Sequence, residues 1–205
     1  MLLIVAIPLI VVVQVYVMVL KMSAPENMMS PLAGGLTAYE EQVIASHREW
    51  LAYCNLQYLA SFKFGAIRVV VFQQQGAQRF FCFNFHQKLT YAIESRFDDI
   101  SFFETGTSST MGMFPPRPNT YRQCYPDARA DIAWQHHLEA EDYLMKKFGI
   151  VWRPLSQPYE QTLVNSLRMW MKYIRSLPLW PFRALYWYSF KRGKIANQPI
   201  QMLYP

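Results

Sequence analysis

Four stretches of the chain carry side chains able to move protons, hold a cation or attack a substrate. In His136-His137-Leu138-Glu139-Ala140-Glu141, His137 and Glu141 stand one helical turn apart and could touch the same cation. Zinc needs at least three protein ligands, and the HExxH spacing is absent. On a helix running through this stretch, His136 falls on the apolar stripe while His137 and Glu141 turn away. The expectation is a packed histidine beside a solvated ion pair. Cys82, Asn84 and His86 share one face of a strand, a geometry open to a Cys/His pair, but no glycine-rich nucleophile elbow surrounds Cys82 or any serine. Glu104 to Thr110 (ETGTSST) is rich in hydroxyls and could bind phosphate through backbone amides. It lacks the lysine of a P-loop, and Glu104 would oppose an anion, so it reads as a strand end running into a surface loop. Phe81, Phe83 and Phe85, with Tyr91 on the next strand, either line a pocket for an apolar or lipid-like ligand or simply fill the core. No catalytic residue, metal ligand or cofactor is expected from these patterns.

The C-terminal segment is chemically the most distinctive. After Glu160 there is no acidic residue, and Arg168, Lys172, Arg175, Arg183, Lys191, Arg192 and Lys194 hold seven of the chain's 20 positive charges. The preceding residues carry the other 13 against all 14 acids, so the basic character belongs to this tail and points to an anionic partner. From Pro158, Gln161, Asn165, Arg168, Lys172 and Arg175 form a polar stripe opposite Leu163, Leu167, Trp170, Met171 and Ile174. Trp180 and Trp187 continue the aromatic content. Basic and aromatic faces on one helix suit a membrane interface, where Trp and Tyr favour the headgroup level. The expected membrane-interface set is therefore Arg168, Trp170, Lys172, Arg175, Trp180, Arg183, Trp187, Lys191, Arg192 and Lys194. The competing reading packs the aromatic stripe on the domain's own sheet. Nucleic acid is the less favoured anion.

The elements that must position these residues follow from periodicity. Met1 to Leu20 has no charged side chain, enough for one helix across a hydrocarbon core of roughly 30 Å. No Lys or Arg precedes it, which argues against a signal peptide. Residues 22–36 hold two Pro and two Gly and read as a linker. Thr37 and Glu40 have capping-box spacing, opening a helix expected from Ala38 to Tyr58 with Val43, His47, Trp50, Leu51 and Cys54 on one stripe. Period two then takes over in 67–74, 79–86, 89–97 and 100–107, four strands with short connections. On the third of these, Thr90, Ala92, Glu94 and Arg96 alternate with Leu89, Tyr91, Ile93 and Phe97, so part of one sheet face is polar. A proline-rich loop, 108–118, precedes a helix from 127 to 148 that Gly149 stops, with Ile132, His136, Ala140, Tyr143 and Leu144 inward. A short helix is expected at 182–192. The three cysteines are odd in number and lack CxxC spacing, which favours a reducing compartment.

The expected architecture is α+β: one N-terminal transmembrane helix (1–21), a linker (22–36), a domain (37–157) with a helix, a four-stranded antiparallel meander and helices on one sheet face, and a basic aromatic helical segment (158–205). The expected location is single-pass in a membrane, with the domain on the cytoplasmic side. The expected role is a non-enzymatic accessory or scaffold protein, a subunit or assembly partner of a larger membrane complex. Its partners would be the lipid bilayer and a membrane protein, not nucleic acid. The alternative is a domain binding an apolar or lipid-like ligand between helix and sheet.

Overall fold

A computed structural model of the chain describes residues 10, 13, 14, 16, 17, 19–22, 24–99, 101–108 and 114–205, without the side chains of Tyr188 and Arg192. A three-residue strand, β1 (Met29–Pro31), opens the sheet. Thr37 then caps α1 (Ala38–Ser46): its hydroxyl accepts from Glu40 N at 3.3 Å and its own amide donates to the Glu40 carboxylate at 2.7 Å. At His47 the helix ends and α2 (Arg48–Tyr53) begins. Asn55, at φ +56°, turns the chain into β2 (Leu56–Phe64). Four antiparallel strands follow, β3 (Ile67–Gln74), β4 (Arg79–Phe85), β5 (Leu89–Arg96) and β6 (Phe102–Gly106). The last strand, β7 (Thr120–Cys124), lies parallel to β6, and the sheet order is β1 to β7. Among the described residues four α-helices follow, α3 (Ala130–Phe148), α4 (Tyr159–Ser176), α5 (Trp180–Tyr186) and α6 (Ile200–Leu203), with a π-helical turn (Trp187–Lys191) and a 3-10 turn (Arg192–Ile195) between the last two. Gly149, at φ +62°, supplies the left-handed residue that ends α3.

Period two sends alternate residues of β4 to opposite faces. Phe81, Phe83 and Phe85 point, with Val70, Phe72 and Ile93, toward Leu51, Cys54 and Trp134 of the first three helices. Phe80 and Cys82 point the other way, with Phe62, Val69 and Val71, toward Tyr159 and Leu163 of α4. The Tyr159 ring stacks on Phe80 at 4.4 Å.

Several expectations are corrected. The sheet has seven strands and is mixed, not a four-stranded antiparallel meander. Helices lie on both its faces, not one. The single helix expected to run to Tyr58 is two shorter ones, and its last residues belong to β2. The linker contains β1.

The expected transmembrane helix is overturned. Among the described residues no helix is long and apolar enough to cross a membrane, and the single-pass location with a cytoplasmic domain goes with it. Positions 1–9, 11, 12, 15 and 18 of that apolar run lie outside the described residues, as do 23, 100 and 109–113 of the expected linker, fourth strand and proline-rich loop. Part of the run instead covers the protein's own helices. Val19 and Met22 pack with Phe114, Met171, Ile174 and Ala184, and Tyr16 stacks on Trp180 at 5.4 Å.

Candidate functional site

The strand register builds a charged row across the second face of the sheet. Glu94 of β5 sits opposite Glu104 of β6, which sits opposite Arg122 of β7. One row along, Arg96 faces Phe102, and Phe102 faces Thr120. Two carboxylates opposite each other repel unless cations flank them, and arginines do so here. Arg96 is 1% exposed and donates through Nε and Nη2 to Glu94 Oε2 at 3.0 and 2.8 Å. Its Nη1 reaches Ser166 of α4 at 2.7 Å. Arg122 Nε lies 3.0 Å from Glu104 Oε2, and its guanidinium stacks 4.0 Å from the centre of the Trp170 ring. Trp170 is held in turn by its indole N–H, which donates to the Pro115 carbonyl at 2.8 Å.

α4 stands off from this row and leaves a cleft of about 300 Å³, lined by Glu94, Arg96, Phe102, Glu104, Arg117 and Arg122 from the sheet side and by Leu163, Ser166, Leu167 and Trp170 from α4. A second hollow of about 280 Å³ shares Ile67, Glu94, Glu104, Leu163 and Leu167 with it and is otherwise largely apolar, with Phe62, Phe64 and Val69 in its wall. The two together form one cleft with a charged end and an apolar end. Three arginines against two carboxylates give the charged end a net positive formal charge. Two titrations act on that charge in opposite senses, one weakening a negative group and the other a positive one. Burial raises the Glu104 pKa, with Arg122 opposing, so its negative charge is weakened. Burial and then the neighbouring Arg96 charge lower the Arg117 pKa, as expected where guanidinium groups crowd together.

The residues singled out from sequence fall elsewhere. His137 is fully buried, between Ser95 Oγ at 2.7 Å and Thr105 Oγ1 at 2.9 Å, and its ring stacks on Phe103. Glu141 is buried against Arg79. The expected inner face of α3 holds at Ala140 and Leu144, which are buried, but not at Ile132, which is 43% exposed, or at His136, which stacks on Tyr125; His137 and Glu141 point in instead. The hydropathy pattern misled because the sheet offers polar partners at these positions. Burial and the Arg79 charge hold the His137 pKa well below the usual histidine value. No group of three or more His, Cys, Asp or Glu suited to a metal occurs among the described residues.

Cys82 and His86 do not meet in a catalytic pair. Cys82 is buried beside the Tyr159 hydroxyl at 3.5 Å, and His86 is exposed just beyond the end of β4. Burial raises the thiol pKa of Cys82, and that of Cys124 to about 11, the opposite of what a nucleophile needs. Phe81, Phe83 and Phe85 make ring contacts with Trp50, Trp134, His47 and Tyr39 and fill the core instead of lining a pocket, whereas Tyr91, against His47, also lines the second hollow.

The C-terminal set divides. Trp170 belongs to the cleft, Trp180 is half-buried against Tyr16, and Trp187 and Lys191 are half-buried. Lys172, Arg175, Arg183 and Lys194 are exposed, and Arg168 pairs with Glu26 at 2.9 Å. The side chain of Arg192 lies outside the described ones. Among the cleft residues, Arg96, Arg117, Glu94 and Arg122 were not singled out. For Glu94 and Arg96 the one signal was the polar face of the β5 sequence, and for Arg117 and Arg122 there was none. Comparison with known protein families, curated proteins and solved structures finds no match for this chain.

Proposed function

We propose that this protein binds a small amphiphilic anion, a carboxylate or phosphate carrying an apolar body, in the cleft between α4 and the sheet. The observation that carries this reading is the pairing, in one cleft, of an arginine-bracketed end with an end walled by Phe62, Phe64, Val69, Leu163 and Leu167. A concave, mostly apolar site with a few convergent polar groups is the usual form of a small-molecule site. Guanidinium groups are suited to planar carboxylate and to phosphate. An anion here would compete with Glu104 for Arg122, a carboxylate whose charged form burial already disfavours.

Octanoate titrated into the isotope-labelled full chain tests this. Amide resonances of Glu104, Arg122, Leu163 and Leu167 should shift, and Leu163→Trp, which fills the cleft, should abolish the response. Shifts confined to exposed helices, or a Leu163→Trp chain that responds like the parent, would overturn the reading. The scaffold role expected from the sequence is the weaker one, since it rests on exposed C-terminal side chains alone.

A further inference from the structure

We infer that the surface formed by α5 and the turns that follow it docks on the face of an anionic lipid bilayer without crossing it. Leu179, Phe182, Tyr186 and Phe190 recur at steps of three, four and four residues and are all between 54% and 74% exposed. They form a large apolar ridge where a soluble surface would carry polar groups. Tyr16 stacks on Trp180 at the start of α5, and Ile10, Val13, Val17 and Leu20 of that N-terminal segment are exposed as well. Contiguous apolar surface of this kind marks an interaction site.

Charge selects the occupant. The flanking exposed groups are Lys172, Arg175, Arg183 and Lys194, and the chain after Glu160 contains no acid to neutralise them. The ion pair this segment makes among the described residues is that of Arg168 with Glu26. A positive rim around an apolar ridge matches the two layers of a bilayer surface, phosphate outside and hydrocarbon beneath. Nucleic acid would meet the charge and could stack on Phe182, Tyr186 and Phe190, but the exposed aliphatic Leu179, Ile10, Val13 and Val17 would gain nothing from it, whereas hydrocarbon takes up all of them. This inference does not depend on the cleft, whose residues are different ones.

The test is sedimentation of the full chain with vesicles of phosphatidylcholine, alone or with about a third phosphatidylglycerol. Binding should be strong only with the anionic lipid and should weaken steeply with added salt. The triple variant R175E/R183E/K194E and the double variant F182S/F190S should each bind at least about tenfold more weakly, the first by losing attraction to the headgroups and the second by losing apolar burial. All these side chains are exposed, and unchanged thermal melts would show that the variants remain folded. Equal binding to neutral and anionic vesicles would overturn the inference. So would no binding by the parent chain, including the case where the patch instead holds a protein or a second copy, or variants that bind like the parent.

Discussion

His137 shows how a single side chain can be structural where its sequence neighbourhood looks chemical. With both ring nitrogens engaged by hydroxyls and Phe103 stacked on its face, it is held neutral, and protonating it would put a charge beside Arg79 in the interior. Its pKa is depressed by folding, so its contribution to stability is present above the unfolded value near 6.5 and is lost as pH falls below it. Unfolding free energies followed from pH 7 to 5 should show the parent losing up to about 1.4 kcal/mol per pH unit more than His137→Gln. Parallel curves would mean that the histidine does not titrate on unfolding. Buried Glu141, whose pKa burial raises, acts in the opposite sense, and comparison with the variant isolates the histidine. At Glu104 the sign is reversed for binding. Its raised pKa leaves it partly protonated above the ordinary carboxylate range, and each deprotonation as pH rises adds negative charge beside Arg122. With octanesulfonate as the probe, which stays ionised throughout, anion affinity should therefore fall as pH rises above the ordinary carboxylate range, and Glu104→Gln should remove most of that dependence. A parent whose affinity does not change with pH would contradict the assignment.

At the scale of elements, legibility followed side-chain type. β3, β4 and β5 were plain in sequence because Ile67-Arg68-Val69-Val70-Val71-Phe72 and Arg79-Phe80-Phe81-Cys82-Phe83 combine β-branched and aromatic residues with alternation. β2 was hidden because LQYLASFKF contains no β-branched residue and follows a true helix without a proline or glycine between them. The break is made by Asn55 in the left-handed region. β7 is five residues, mostly polar, and gains its place only by pairing with β6. The face of α3 was misread because buried His137 is held by Ser95 and Thr105 and one oxygen of buried Glu141 by Arg79, partners that hydropathy does not record. The start of α1 was fully legible, since capping is local chemistry. Thr37→Ala should cost about 1 kcal/mol in denaturant unfolding, and more if Glu40, which also holds Arg68, loses its position. A change within error would show that the cap contributes nothing.

The whole molecule is organised by the sheet as a partition. One face is a closed aromatic core under α1, α2 and α3, and the other, beneath α4, is only partly filled and charged at one end. The polar alternation of β5 announced that this face was different, but the cleft itself depends on Arg122 of β7 and Trp170 of α4. Pairing and packing across the fold bring them together, and no sequence spacing reveals that. Hydrophobic transfer of about 0.8 kcal/mol per methylene predicts a roughly fourfold gain in affinity for each carbon added to a linear carboxylate, levelling off once the apolar end is filled. Affinity that does not vary with chain length would exclude the apolar end as a tail site. The most direct measurement is the calorimetric affinity of the full chain for octanoate against octanol, repeated with Arg122→Gln. The account predicts that the carboxylate binds at least about tenfold more tightly, a difference of about 1.4 kcal/mol, and that the variant erases the preference. Equal affinity for acid and alcohol, or a preference that survives the loss of Arg122, would contradict it.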